Sequence, residues 1–357
     1  MYPYNGDSAG NFFFTGKEYT GYFIKSSSAH LGLSLDILSD IISDSLLDSS
    51  EIDRERGVIL EEMNMYEDAP ARKIGDIFEK LLYGDSPMGW DTLGEKKNIK
   101  EITREDFIDY KKTFYSADNM CLVIAGKFDE QEILKKAEQY FGGLPKFQTK
   151  GFEKVIEDQA SPEVLLKHKK TEQTHFGLGV RTVGLADKKE KYILEVLAAI
   201  LGRGMSSRLF HELREVRGLA YSVGAYADSS KDVGYLAVFA GVDKNRADEA
   251  ISVSLDELLK VCTPGEITKE ELAKAKEFIK GHFTLDLEDT RSVATHYAGD
   301  LILEGKMENP DEVLSQIEAV TLEEVVATAR KYIKKDRMNL AVIGEFEDKS
   351  RFEKLLG

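Results

Sequence analysis

Two carboxylates seven residues apart, Glu55 and Glu62, stand in the run SSEIDRERGVILEEMNMYEDAP. On a helix that spacing is close to two turns, so both acids fall along one face, with Ile52, Ile59 and Met63 supplying apolar contacts. Carboxylates are metal-ligand types, although on pattern alone such a face reads as solvated. A second pair, Arg214 and Tyr221 in LREVRGLAYSV, joins a guanidinium and a phenol, both able to donate to a tetrahedral oxygen. Without further context they read as an exposed helix-end arginine and a strand tyrosine.

Other patterns carry less. Gly6-Asp7-Ser8-Ala9-Gly10 satisfies G-x-S-x-G, but a serine nucleophile elbow needs a strand before it and a helix after it. Neither is legible there, so it is read as a plain turn. Gly202–Arg208 is glycine-rich yet lacks the spacing of a phosphate loop, and reads as a flexible turn into the helix of Arg208 to Arg214. His30, His168, His175, His211, His282 and His296 all read as structural or surface residues, and none sits in an H-x-x-E-H pattern.

The elements that must position these residues come in two copies. With Thr103 placed on Thr321, ITREDFIDYKKTFYSADNMCLVIAGKF runs alongside TLEEVVATARKYIKKDRMNLAVIGEF, bringing Glu105 to Glu323, Met120 to Met338, Leu122 to Leu340 and Gly126 to Gly344. Each copy predicts a helix with threonine at its N-cap, a polar turn, and a buried strand ended by glycine. A helix precedes each, over 49–63 and 267–283; the first is expected to open at Ser50 with Asp53 as capping-box partner and to close before Pro70. So long a period is duplication of a whole domain, not a repeat array. The expected division is 1–145, incomplete at its start, a linker over 146–163, and 164–357.

In the second half HFGLGVRTV, GLAYSVGAYAD and GYLAVFAGV read as strands, the last two joined by a short turn, and amphipathic helices are expected over 188–201 and 244–261. Adjacent strands beside grouped helices indicate α+β, with two homologous domains, each an antiparallel-rich β-sheet packed against α-helices. The first half offers one clear strand, over 11–24, before its helices.

The composition is that of a soluble globular protein, with 42% apolar and 31% charged residues and only 7 prolines. A net charge of −16 argues against nucleic acid and anionic membranes as partners. Cys121 and Cys262 are the only cysteines, too few for a disulfide framework or a cysteine zinc site, and they fit a reducing, cytoplasmic address. No apolar run is long enough to span a bilayer.

The run Glu55–Met63 followed by Tyr66–Pro70 resembles the distal zinc-ligand helix of the pitrilysin (insulinase) family of zinc peptidases. The resemblance continues through Thr15–Thr20 near the start and Gly202–Phe210 in the second half. It implies that Glu62 completes a His-His-Glu zinc site, that Glu55 supports catalysis beside it, and that Arg214 and Tyr221 reach across to hold substrate and the developing oxyanion. In that family an H-x-x-E-H motif, roughly seventy to eighty residues before the distal glutamate, supplies the other two ligands and the base. Only 61 residues precede Glu62, so the expectation is that the motif has been left off rather than mutated. A further departure is that Asn11 is followed by three phenylalanines where the family usually has Asn-Ala.

One carboxylate alone binds zinc too weakly to matter. The expected function is therefore a zinc-dependent endopeptidase protomer acting on peptides, truncated and inactive as it stands, with Zn²⁺ belonging to the fuller form and not bound by this chain. The alternative is a non-catalytic partner subunit of a peptidase or processing complex. Short members of the family enclose substrate between protomers, which implies a homodimer, or a heterodimer with a related subunit.

Overall fold

In the computed structural model, residues 13–357 are described; the Gly6–Gly10 turn and Asn11 lie outside them. The chain begins with strands β1 (Phe13–Thr15) and β2 (Thr20–Tyr22), followed by helices α1 (Leu31–Ser43), α2 (Ser49–Glu67), α3 (Pro70–Tyr83), α4 (Lys96–Glu101), α5 (Arg104–Phe114) and α6 (Glu130–Phe141). Then come β3 (Glu163–His168), β4 (Gln173–Val183), α7 (Lys188–Gly202), a π-helix over Phe210–Val216, β5 (Ala220–Ser229), β6 (Val233–Asp243) and α8 (Ala247–Lys260). Helices α9 (Lys269–Asp286), α10 (Thr290–Glu304), α11 (Pro310–Ala319) and α12 (Leu322–Tyr332), strand β7 (Asn339–Gly344) and helix α13 (Ser350–Leu356) complete it. The fold is α+β, rich in antiparallel pairing.

Spatially the chain forms two compact units. One contains residues up to Met63, Thr92–Phe152 and Thr284–Glu308; the other contains Asn64–Asp91, Glu153–Phe283 and Asn309–Gly357. The chain crosses between them inside α2 and inside α9.

The second unit is built on a five-stranded sheet in the order β3-β7-β4-β6-β5. Only the β3–β7 pairing is parallel. Its central strands are apolar on both faces because both are covered. From β6, Leu236, Val238, Ala240 and Val242 face a large core with α7, α8, α11 and α12, whereas Val233, Tyr235 and Ala237 face α3. Helix α3 supplies Ile74, Ile77, Phe78 and Leu82 at helical spacing. Phe78 is fully buried, edge-on to Tyr235 and Phe239 at 5.5 Å each. At the start of α3, Lys73 pairs with Asp91, Asp76 and Glu67, so that a largely buried ammonium is matched by several carboxylates.

In the first unit the expected strand over 11–24 is instead a hairpin: β1 and β2 pair antiparallel from Phe13↔Tyr22 to Thr15↔Thr20. Its turn is closed by Gly16 N–H donating to Tyr19 O at 2.9 Å. The strand expected to follow α5 does not form. Residues 120–125 carry no regular structure, and the backbone amides of 121–125 donate to no described residue. Buried apolar side chains in this unit are confined, among the described residues, to Leu35, Met63 and Ile133.

Candidate functional site

Arg214 and Tyr221 are placed by two irregularities in the second unit. The segment after the glycine-rich turn begins as α-helix at Arg208 and widens into the π-helix, a form that recurs at functional sites because it re-aims side chains. Four residues apart on it, Phe210 and Arg214 stack, the guanidinium lying 5.1 Å from the ring centroid. After Gly218, whose φ of +58° is the left-handed conformation glycine tolerates, the chain enters β5 with a bulge. Ala220 faces Val242 and Ser222 faces Gly241, leaving Tyr221 as the extra residue. A bulge twists the strand locally and turns its residue out of the ladder, and Tyr221 is 75% exposed.

The two devices meet. Arg214 Nη1 donates to the Tyr221 carbonyl at 2.7 Å, and the same guanidinium lies 5.3 Å from the Tyr221 ring centroid. Held between two aromatic rings, an exposed arginine keeps most of its donors for an incoming oxygen, with the phenol beside it.

The turn leading into this helix is fixed from below. A Cβ on Gly202 would overlap the backbone of Ala225, so only glycine lets the end of α7 approach β5. Arg208 is clamped on Glu271 through Nε at 2.6 Å and Nη2 at 2.9 Å. Burial raises the Glu271 carboxyl, but hydrogen bonds from Arg208 and the Thr268 amide outweigh it and hold it below the usual range. The expectation of a flexible turn gives way here to a braced one. Neither the π-helix, the bulge nor the Arg208–Glu271 clamp was read from the sequence; Gly218 was the one visible mark of the bulge.

Glu55 and Glu62 both lie on α2, in the first unit, Glu55 exposed and Glu62 half-buried. The helix opens two residues earlier than expected. Asp48 Oδ1, not Ser50, is the cap, accepting from the amides of Ser50 at 2.9 Å and Glu51 at 3.3 Å. Glu62 is the donor that a zinc ion would use, yet a catalytic zinc needs about three protein ligands. Among the described residues no group of three His, Cys, Asp or Glu side chains could hold a metal ion. The residues present do not fit the ion. The structure thus brings together Arg214 with Tyr221, whereas Glu55 and Glu62 share one helix about two turns apart.

Comparison with known proteins is consistent along the chain. Residues 10–94 match the model described as insulinase (peptidase family M16), and residues 101–279 match the peptidase M16 inactive domain, which includes Arg214 and Tyr221. A protein of Bacillus subtilis named as the uncharacterized zinc protease YmxG is 34% identical over 324 residues, covering 90% of this chain and 78% of that protein. An uncharacterized zinc protease of Streptomyces coelicolor is 32% identical over 345 residues, 94% of this chain and 74% of its own length. Two solved structures share the fold. A protease from Helicobacter pylori has a TM-score of 0.82 at 24% identity, over 91% of this chain and 79% of that one. A peptidase M16 inactive domain from Pseudomonas fluorescens has a TM-score of 0.78 at 19% identity, over 90% and 76%. The order of the motifs, the fold and the relatives agree, and the chain belongs to the insulinase (pitrilysin) family of M16 peptidases, in its short form.

Proposed function

We propose that this chain is the protomer of a zinc-dependent endopeptidase acting on peptides, and that its 357 residues by themselves grip peptide without cutting it. The observation that carries this reading is the Arg214–Tyr221 pair, exposed, mutually braced and rich in donors. A guanidinium and a phenol so placed suit a peptide carbonyl and, in a reacting complex, the oxyanion that develops from it. Glu62 and Glu55 supply carboxylates on α2, but the described residues do not complete a metal site, so no hydrolytic step is assigned to them.

Binding of a fluorescent, unstructured peptide to the chain tests the reading. Arg214→Ala should weaken it about tenfold, the loss of one or two charge-assisted hydrogen bonds, with the thermal unfolding profile unchanged. Equal binding by wild type and variant would remove Arg214 from the site. The pair also suits a non-catalytic partner subunit, the second reading, because its strongest features lie in the stretch matching the inactive domain. We further propose that the chain works as a dimer, either with itself or with a related subunit; sedimentation showing a lone monomer at micromolar concentration would contradict that.

A further inference from the structure

At the far end of the second unit's sheet lies a cavity of about 470 Å³, walled by the end of β4, the β5–β6 turn, the segment after α12 and residues 157–159. Tyr221 stands at one end of β5 and the cavity opens beyond the other, roughly 26 Å away at about 3.3 Å per residue. It is therefore separate from the Arg214–Tyr221 site.

Its polar groups are not all spent on the fold. Thr182 is 6% exposed, yet its Oγ1 finds no hydrogen-bond partner, and neither does the buried Oδ1 of Asp232. Native proteins seldom leave such atoms unmatched. Asp232 is held in place by its other oxygen, which accepts from the Val155 amide at 3.0 Å. Arg181 donates from Nε and Nη2 to Leu82 O and from Nη1 to Gln159 Oε1, which ties it to the fold. At the mouth, the side chains of Lys334 and Arg337 line the opening, exposed and without a hydrogen bond or ion pair to any described residue.

Acceptors and cations both line the cavity: Thr182 is buried and Asp232 half-buried, the carboxylates Glu157 and Asp187 are exposed, and so are Lys334 and Arg337, which make a basic rim. Partial burial raises the Glu157 carboxyl, Arg181 and Arg337 pull it down, and Asp232 adds to the rise, so an ammonium between these two acids would relieve both. A plain anion would meet Asp232 and Glu157, and a plain cation would leave the basic rim unused. A metal ion lacks a group of three donors here.

We infer that this cavity is a binding site for a small zwitterion, a free α-amino acid or a short peptide with both termini uncapped, its ammonium on Asp232 and Thr182 and its carboxylate on Arg337 and Lys334. The site does not depend on the peptidase reading, since it shares no residue with Arg214 and Tyr221.

Calorimetric titration of the chain tests it, with free alanine, glutamate, lysine and phenylalanine, their dipeptides with alanine, the same dipeptides acetylated and amidated, and inorganic phosphate as probes. Saturable one-site binding of an uncapped probe is expected, with amino acids and dipeptides distinguishing the two sources. Asp232→Asn and Arg337→Ala should each weaken it at least about tenfold, and Arg214→Ala should leave it unchanged. Both variants alter single polar groups, and unchanged thermal unfolding shows that they fold. Failure of every uncapped probe to bind, equal binding by capped dipeptides, or binding by phosphate alone would overturn the inference.

Discussion

The two copies of the internal repeat part company at one point. Helices α5 and α12 are each 11 residues long and begin with the same device, a capping box made by Thr103 with Asp106 in one and Thr321 with Glu324 in the other. Each helix is followed by a single 3-10 turn, over Ala117–Asn119 and Lys335–Arg337. Then NLAVIG becomes β7, buried along its whole length between β3 and β4, while residues 120–125 join no ladder. Caps and turns are settled by residues three or four positions apart and form wherever the sequence places them. A strand needs neighbours to satisfy its amides and cover its side chains. Among the described residues of the first unit, β1 and β2 pair only with each other and none pairs with 120–125.

Hydrogen exchange gives the largest separation between the copies. Amides of 340–343 should open only with global unfolding, whereas those of 122–125 should exchange at nearly unprotected rates, a gap of several kcal/mol in opening free energy. Comparable protection would break the contrast. Substitution should show it next. Leu340 is fully buried and Leu122 is 41% exposed, so Leu340→Ala should cost about 2–5 kcal/mol in urea unfolding and Leu122→Ala no more than about 0.5–1 kcal/mol. The smallest effect sharpens the comparison by being the same on both sides. Thr103→Ala and Thr321→Ala should each remove about 1 kcal/mol of local helix stability, read from exchange within α5 and α12; a loss confined to one copy would mean that the caps too depend on their surroundings.

The same division between local and distant causes decides what could be read from the sequence. The strands His175–Val183 and Gly234–Val242 were legible because both faces of the sheet are covered and the runs are largely apolar. The family was legible from the ordered motifs around Glu62 and Arg208. That α3, from the first half, would lie on the second unit's sheet was not, since an amphipathic stripe such as Ile74, Ile77 and Phe78 announces burial without saying against what. Arg214 and Tyr221 were identified by resemblance, but their placement by a π-helix and a bulge leaves no periodic trace, because each consists of one residue too many in an otherwise regular element. At Asp48 the misreading was one of competition: Asp48, Ser49 and Ser50 are all good caps, and the carboxylate two residues earlier took the amides.

The second unit thus carries the mutually braced Arg214–Tyr221 pair, proposed to grip peptide, and the first carries Glu55 and Glu62 with no companions among the described residues able to seat a metal. The zinc content of the purified chain, measured by elemental analysis after dialysis against micromolar zinc and alongside Glu62→Gln, tests that claim most directly. The account predicts well under one equivalent in both proteins and no peptide hydrolysis by either. One zinc per chain in the wild type, lost in Glu62→Gln together with a chelator-sensitive peptidase activity, would contradict it.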